Sequence, residues 1–369
     1  MENIKKVAII GIGLVGGSLG LAIKSLNDPP EISGFSRSPK SAKKALKKGA
    51  IDIACQDIES CVNDADIVFI ATPVSVIVDI VKEVGGHLKK GAIISDVGST
   101  KSSIVKTIEG FLPKGIHFIG GHPVTGSEHD GIDYADARLF QNFYYVLTPT
   151  PATDSNAFKT LHALLTAIGA NVIAVDADKH DEILATLSHL PHMVAATLVN
   201  MASNQVAKKQ DWLSLAAGGF RDTTRIAASK PALWLDICLE NKQALVDNLK
   251  SFKNSLEELT SLLERGDTAE LKKILTKARN IRMSLPVAGK KDITDMHQLM
   301  LLVTDKPGVI SDISLTLGDL GINIEDIEVV PLTDKTGFLR LTVLGKKKAA
   351  NAQEVLKKKG YSVEMKSIG

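Results

Sequence analysis

The apolar positions along this chain change their period twice. Residues 5–10 read as a short buried strand, apolar without a break from Val7 to Ile10, and a helix-period stretch over 14–26 follows it after a glycine-punctuated turn. Further short runs lie at 31–35, 67–71, 92–96 and 116–120, with helical stretches after Pro73 and after Lys101. Short continuous runs bounded by turns read as strands buried on both faces, and their alternation with helices predicts a parallel, doubly wound sheet. From 176 to about 285 the period is helical throughout, with a nearly continuous apolar stretch at 183–201 broken chiefly by Ser188-His189-Leu190-Pro191-His192. A helix so apolar should be buried, most simply against a second copy of itself. Pro231 suits the first turn of a long helix continuing through Leu249 and Leu263. Beyond a linker the order becomes strand, helix, strand, strand, helix, strand: 299–304 begins it, Asp305-Lys306-Pro307-Gly308 turns it, 309–320 makes its first helix, and Gly321-Ile322-Asn323-Ile324 enters its second strand. The expected division is therefore 1–175, a doubly wound α/β domain; 176–285, helical; 286–295, linker; and 296–369, a small α/β unit.

A length of 369 residues agrees with several domains, at roughly 100 to 200 residues each. Forty-four Lys and Arg against 42 Asp and Glu leave a formal charge of +2, which provides no global field for nucleic acid or an acidic membrane. Any anionic ligand must be held by local charges. Cys55, Cys61 and Cys238 are an odd set without paired-ligand spacing, so neither a disulfide framework nor a zinc site is expected, and a reducing cytoplasm fits. Lys5-Lys6 before the apolar run 7–23 has the outline of a signal peptide or membrane span. Gly11, Gly13, Gly16, Gly17 and Gly20 interrupt that run with nucleotide-loop spacing, and no small-residue cleavage site precedes Lys24.

Gly11-Ile12-Gly13-Leu14-Val15-Gly16 sits between the first strand and first helix, the context a dinucleotide fingerprint requires. Gly11 permits the tight turn, Gly13 lets the backbone approach a pyrophosphate, and Gly16 allows close helix packing, so that helix N-terminal amides face the phosphates. After the second strand, where NAD enzymes usually carry a carboxylate for the ribose 2′-hydroxyl, stand Ser36-Arg37-Ser38. Two hydroxyls around a guanidinium suit a 2′-phosphate, which favours NADP with NAD also possible; the alternative is that Arg37 stacks on the adenine or lies in solvent. Ligands in such sheets lie beyond the carboxyl ends of strands, where Thr72-Pro73, Gly98-Ser99-Thr100-Lys101 and His122-Pro123 converge. Ser99 alone also reads as a helix cap, and His122 as a structural loop residue.

Three stretches carry a resemblance: Gly120-Gly121-His122-Pro123-Val124-Thr125-Gly126-Ser127-Glu128, then Ser188-His189-Leu190-Pro191-His192, then Gly218-Gly219-Phe220-Arg221-Asp222-Thr223-Thr224-Arg225-Ile226. In that order they resemble the prephenate/arogenate dehydrogenase family of tyrosine biosynthesis, and residues 296–369 resemble an ACT domain. The resemblance implies an N-terminal Rossmann-like α/β sheet, an all-helical dimerisation domain and a C-terminal ferredoxin-like βαββαβ unit. It implies a homodimer, and oxidative decarboxylation of prephenate or arogenate with hydride transfer to NAD(P). In that reading His122 accepts the substrate hydroxyl's hydrogen bond with Ser99 as partner, and Arg225 forks onto a substrate carboxylate. Asp222 would cap a helix starting there and place Arg225 in its first turn; Arg221 is the substitute, and a surface ion pair the plainer reading. His189 and His192 would share a helical face and line the substrate, or else be satisfied buried histidines. His180 and Asp181 would orient the site, Trp234 would wall it, and Ser127 and Glu128 would approach the substrate side chain, with Glu128 favouring arogenate's ammonium. Asp305, Pro307, Gly308, Val309 and Asn323 would bind an amino-acid effector, tyrosine by implication, unless the unit serves dimerisation alone. No metal is expected. The alternatives are a related hydroxy-acid or imine dehydrogenase, which would use a lysine in the helical domain where none is well placed, and a non-catalytic NAD(P)-binding regulator, for which the His122, Ser99 and Arg225 set would be superfluous.

Overall fold

The structure is a computed structural model that describes residues 4–125, 130–206, 215–285, 296–304, 306–331 and 336–367. The chain forms two compact units, Met1–Ala278 and Arg279–Gly369.

The first unit is built on eight strands: β1 (Lys6–Ile10), β2 (Glu31–Phe35), β3 (Ile53–Ala54), β4 (Ile67–Ile70), β5 (Ile93–Asp96), β6 (His117–Pro123), β7 (Tyr144–Thr148) and β8 (Asn171–Ala174), in the order β3-β2-β1-β4-β5-β6-β7-β8. Alternate residues of β1 enter opposite cores: Val7 and Ile9 join one buried cluster, Ala8 and Ile10 the other. Both faces of the strand are therefore covered, which is why it reads as an unbroken apolar run. The helices α1 (Leu14–Lys24), α2 (Pro39–Lys48), α3 (Ile58–Val62), α4 (Val74–Val84), α5 (Ser102–Glu109) and α6 (Ser155–Ala167) supply the cover. The doubly wound pattern holds from β1 to β6, but the sheet is not parallel throughout. β7 runs antiparallel to β6, with His122 opposite Val146, and β8 follows β7 in parallel. This added partner draws β6 on past residue 120 to Pro123, so His122 belongs to a strand and not to the loop beyond it.

Helices follow: α7 (Ala177–Leu184), a π-helical turn (Ala185–His189), α8 (Leu190–Val206), α9 (Gly218–Thr224), a 3₁₀ turn (Arg225–Ala228), α10 (Pro231–Glu240), α11 (Lys242–Glu264) and α12 (Thr268–Ser284). Pro191 explains the π turn, since it lacks an N–H and its ring would strike the carbonyl four residues back in a regular helix. The expected burial of 183–201 is absent within one chain. The stretch Ala177–Asn204 is long and apolar enough to cross a membrane by composition, yet only 22% of its most apolar window is buried, and Leu187 is 74% exposed. The single long helix expected after Pro231 is two, because Asn241 leaves the helical conformation and turns its side chain inward. Asp222 caps nothing: it lies inside α9, which starts after Ala217, and Arg225 stands past that helix's end.

The second unit comprises β9 (Met296–Thr304), α13 (Val309–Asp319), β10 (Ile324–Pro331), β11 (Thr336–Leu344), α14 (Lys346–Lys358) and β12 (Ser362–Ser367). Its antiparallel sheet runs β10-β11-β9-β12 and packs on both helices through Leu299, Leu301, Ile313, Leu339, Leu341 and Leu356. This is the βαββαβ order read from the residues.

Candidate active site

Two buried carboxylates organise the carboxyl ends of the central strands. Asp96, the last residue of β5, accepts hydrogen bonds from Gly98 N at 2.8 Å and Gly121 N at 3.1 Å, and pairs with the fully buried Lys101 ammonium. Burial pulls the Lys101 ammonium below its ordinary value, and the Asp96 charge opposes that shift. One side chain thus staples the Ser99 loop to the strand carrying His122. Gly121 must be glycine for this packing, since a Cβ there would stand 2.6 Å from Asp96 O and 2.8 Å from Ser95 Oγ.

Asp181 is the second. Its Oδ1 accepts from Lys101 N at 2.8 Å and its Oδ2 from Ser102 N at 2.9 Å, which places the carboxylate at the N-terminus of α5, where amides and helix dipole favour a negative charge. His180 Nδ1 lies 2.7 Å from Asp181 Oδ1, and His180 Nε2 lies 2.8 Å from His122 Nδ1. This chain of contacts assigns the protons. The carboxylate takes the Nδ1–H of His180, leaving Nε2 of that ring as acceptor; His122 donates from Nδ1, and its own Nε2 keeps a lone pair. His122 is 8% exposed, and burial, reinforced by the neighbouring His180, Lys101 and His189, holds its pKa well below the usual histidine value. At neutral pH it is an uncharged acceptor.

His122 opens onto a cavity of about 600 Å³. Ser99, His180, Ser188, His189, Ser229 and Trp234 supply polar lining, and Val124, Tyr144, Ile173, Ile183, Leu187 and Leu233 contribute apolar wall. Asn241 Nδ2 donates to Asp181 O at 2.8 Å and approaches His189 Nδ1 at 3.2 Å, so His189 accepts there and retains Nε2–H as a donor. Burial lowers the His189 pKa to about 4. The cavity therefore offers one imidazole acceptor, one imidazole donor and the hydroxyl-bearing side chains Ser99, Thr125, Tyr144, Ser188 and Ser229.

Of the residues expected at the substrate, Ser99, His122, His180, His189 and Trp234 meet at this cavity. Asp181 lies behind His180. His192 does not line it; it stacks on Trp234 at 3.5 Å between centroids and 8° between planes, and fixes that wall from behind. Arg225 is exposed and stands outside the lining. Ser127 and Glu128 lie outside the described residues. Asn241 and the Asp96–Lys101 pair were not foreseen; Asn241 fell inside what read as one long helix after Pro231.

A second cavity, about 460 Å³, is lined by Gly11, Gly13, Ser36, Arg37, Ser38, Thr72 and Pro73 among others, whereas Leu14, Val15 and Gly16 lie in α1 beneath it. Gly11 has φ +97°, and a Cβ at Gly16 would sit 2.1 Å from Gly11 O, so turn and helix pack as tightly as a phosphate-binding loop needs. A Cβ at Gly13 would meet nothing within 4 Å, which leaves open space before the first amides of α1. Thr72 Oγ1 is buried at this cavity without a hydrogen-bond partner. These features fit a dinucleotide.

In the second unit, Lys306, Pro307, Gly308, Ile310, Ser311, Ser314 and Leu315 line a depression of about 670 Å³. Gly308 adopts φ +95° before α13, Val309 turns into the core, and Asn323 bonds Glu325 at 2.8 Å. Asp305 lies outside the described residues.

Comparison with known proteins agrees with this architecture. Residues 19–174 match the nucleotide-binding domain of prephenate dehydrogenase, 176–277 its dimerization domain, and 297–360 an ACT domain. The chain belongs to the prephenate dehydrogenase family. Within that family it is 36% identical to prephenate dehydrogenase of Bacillus subtilis over 91% of both chains. Among solved prephenate dehydrogenases, that of Aquifex aeolicus in complex with hydroxyphenyl propionate and NAD⁺ shares 32% identity and a TM-score of 0.73, covering 77% of this chain and 99% of that one. Synechocystis arogenate dehydrogenase, also 32% identical, gives a TM-score of 0.67 over 75% of this chain and 98% of its own. Membership of this family carries a nicotinamide cofactor, and the features of the glycine-loop cavity fit one.

Proposed function

We propose that this enzyme oxidatively decarboxylates a cyclohexadienol of tyrosine biosynthesis, prephenate or arogenate, at the 600 Å³ cavity, with His122 as the residue that receives the C4 hydroxyl hydrogen bond. The observation that carries this reading is the hydrogen-bonded series Asp181, His180, His122, which ends on an imidazole lone pair. Hydride leaves C4, carbon dioxide leaves C1, and the ring becomes aromatic. A nicotinamide held across Gly11, Gly13, Thr72 and Pro73 supplies the hydride acceptor when bound.

The remaining work falls to this chain's side chains. As the C4 oxygen becomes a carbonyl its proton must be drawn away, and His122, uncharged because it is buried, is available to take it. His180 accepts the His122 Nδ1–H throughout, and Asp181 stabilises the positive charge that spreads over the two rings. Ser99, stapled by Asp96, stands beside the same hydroxyl. His189, Ser188 and Ser229 offer donors to substrate carboxylates, and Trp234, backed by His192, bounds the ring. Arg225 is assigned the carboxylate at C1, which requires the segment carrying it to swing toward the cavity when substrate enters.

Ser36, Arg37, Ser38 and Ser41 at one end of the cofactor cavity favour NADP over NAD, because a guanidinium and hydroxyls satisfy a dianionic 2′-phosphate that a carboxylate would repel. Glu128 favours acceptance of arogenate, whose side-chain ammonium it would pair. The exposed apolar face of Ala177–Asn204 is assigned to a second copy of the chain. The Gly308 turn is assigned to an amino-acid effector, tyrosine by the logic of end-product control.

The test is a four-way assay of prephenate or arogenate with NAD or NADP, run on wild type, His122→Asn and Glu128→Gln. NADP should give the higher kcat/KM, His122→Asn should lose about 10²–10⁴ in kcat on every pair, and Glu128→Gln should shift the substrate ratio toward prephenate. Undiminished turnover by His122→Asn would refute the role of that ring, and an unchanged substrate ratio would refute that of Glu128.

A further inference from the structure

The cofactor and substrate cavities are held together unequally. On one side the junction between α5 and α7 is pinned by Lys101 N and Ser102 N on Asp181, at 2.8 and 2.9 Å, and by Lys106 Nζ on Asp178 at 2.6 Å. On the other side α4 meets α10, where Ser75 Oγ donates to Asp236 Oδ2 at 2.7 Å. α4 starts directly after Thr72-Pro73, and its Val76 and Ile80 line the cofactor cavity. α10 carries Leu233, Trp234 and Ile237 into the substrate cavity. Ser75 therefore stands one residue from a cofactor-lining side chain, and Asp236 one residue from a substrate-lining one. The Asp236 carboxylate also lies at the first turn of α4, where a negative charge is favoured.

We propose that the Ser75–Asp236 bond couples the two cavities: a cofactor seated against Thr72-Pro73 sets the position of α4, and through Asp236 the position of α10 and of the Trp234 wall. The inference rests on the cofactor and substrate assignments made above. Asp236 and Ser75 touch neither ligand and act as positioning residues. The α5–α7 junction, held by several bonds of which the one from Lys101 N is buried, serves as the fixed edge, and the single exposed Ser75–Asp236 bond as the edge that responds. A single exposed hydrogen bond carries a coupling of about two- to tenfold in affinity, reciprocal between the ligands. Cofactor alone should bind normally when the bond is missing, while the wall ceases to register its arrival.

The experiment reads Trp234 directly. The chain has two tryptophans, Trp212 and Trp234, so Trp212→Phe leaves one reporter. ADP-ribose and its 2′-phosphate, which carry the adenosine, pyrophosphate and ribose of NAD and NADP but no nicotinamide ring, are titrated separately into Trp212→Phe and into the same protein with Asp236→Asn or Ser75→Ala. The expected result is a change of Trp234 emission in the parent that both second substitutions abolish, with the ADP-ribose dissociation constant, measured by calorimetry, within about twofold throughout. Substrate KM at saturating cofactor should rise by about two- to tenfold in the variants with kcat less affected. The same emission change in all three proteins, or none in the parent despite binding, overturns the coupling while leaving the proposed reaction intact. Failure of both ADP-ribose and its 2′-phosphate to bind the parent would instead remove the cofactor assignment, and the coupling with it.

Discussion

Replacing Asp181 by asparagine tests the proton assignment at its root. The wild-type carboxylate faces three donors: Lys101 N–H at 2.8 Å, Ser102 N–H at 2.9 Å and His180 Nδ1–H at 2.7 Å. Asparagine brings one acceptor and one NH₂ group, so it cannot face all three. With its oxygen on Lys101 and His180, the NH₂ opposes the Ser102 N–H. In the other orientation the NH₂ points at His180 Nδ1, which must then accept; His180 carries its proton on Nε2, His122 accepts at Nδ1, and the His122 Nε2 facing the substrate becomes a donor. Either state loses charge-assisted bonds at a helix N-terminus, which costs about 1–3 kcal/mol of stability for a donor left unpaired. The second also presents the wrong tautomer, a fault that costs up to about 10⁴ in kcat where a carboxylate orients a catalytic histidine in serine proteases. We therefore expect Asp181→Asn to lower kcat by at least about 10² while the cofactor dissociation constant stays within about twofold, because the second cavity does not touch Asp181. Stopped-flow turnover, with calorimetry for cofactor and thermal melting for the fold, separates the effects. A folded Asp181→Asn enzyme with near wild-type kcat would refute the tautomer series.

Acid should destabilise the protein through its uncharged buried histidines. The folded His189 pKa, about 4, lies below the usual 6.5, so the unfolded chain binds the proton first; the group's contribution is intact above pH 6.5 and is lost as pH falls toward 4. That shift is worth about 3 kcal/mol, and His122, shifted in the same direction, adds to it; urea titrations across this window should show the loss, and His189→Gln should flatten it. Gly121→Ala should cost about 1–3 kcal/mol through overpacking, because its Cβ would stand 2.6 Å from the β5 backbone oxygen of Asp96, and it should reduce kcat by displacing His122. Tyrosine should raise the melting temperature and inhibit, and Gly308→Ala, which opposes a φ of +95°, should remove both effects with uninhibited turnover retained; if tyrosine alters neither, the effector assignment falls.

What could be read beforehand divides along a physical line. β1, β2, β4 and β5 were legible because strands covered on both faces must be mostly apolar along their length, and that signal is local; the two-residue β3 (Ile53–Ala54) was too short to give one. The Gly11 turn was legible because its glycines answer to sterics within a few residues. β7 was not, since the antiparallel pairing that extends β6 and lifts His122 into a strand depends on a segment more than twenty residues away. The π turn at Ala185–His189 follows from Pro191; His189 and His192 both meet Trp234, as their spacing suggests, but only His189 reaches the cavity.

The same division runs through the site and says why its chemistry was only half visible. Adjacent His180 and Asp181 advertise a possible pair, but the pair has a direction only because Lys101 N and Ser102 N, some eighty residues earlier, anchor both carboxylate oxygens. Without those two amides Asp181 could rotate, and His180 could take either tautomer. With both oxygens anchored, the Oδ1 beside His180 keeps a lone pair that only a donor at Nδ1 can meet, and the lone pair on His122 follows. The acceptor that the reaction needs is thus not a property of residue 122. It is set by the start of α5 and delivered through two rings, which is why an imidazole in an isolated glycine-flanked strand would be a weak indicator of function and this one is not.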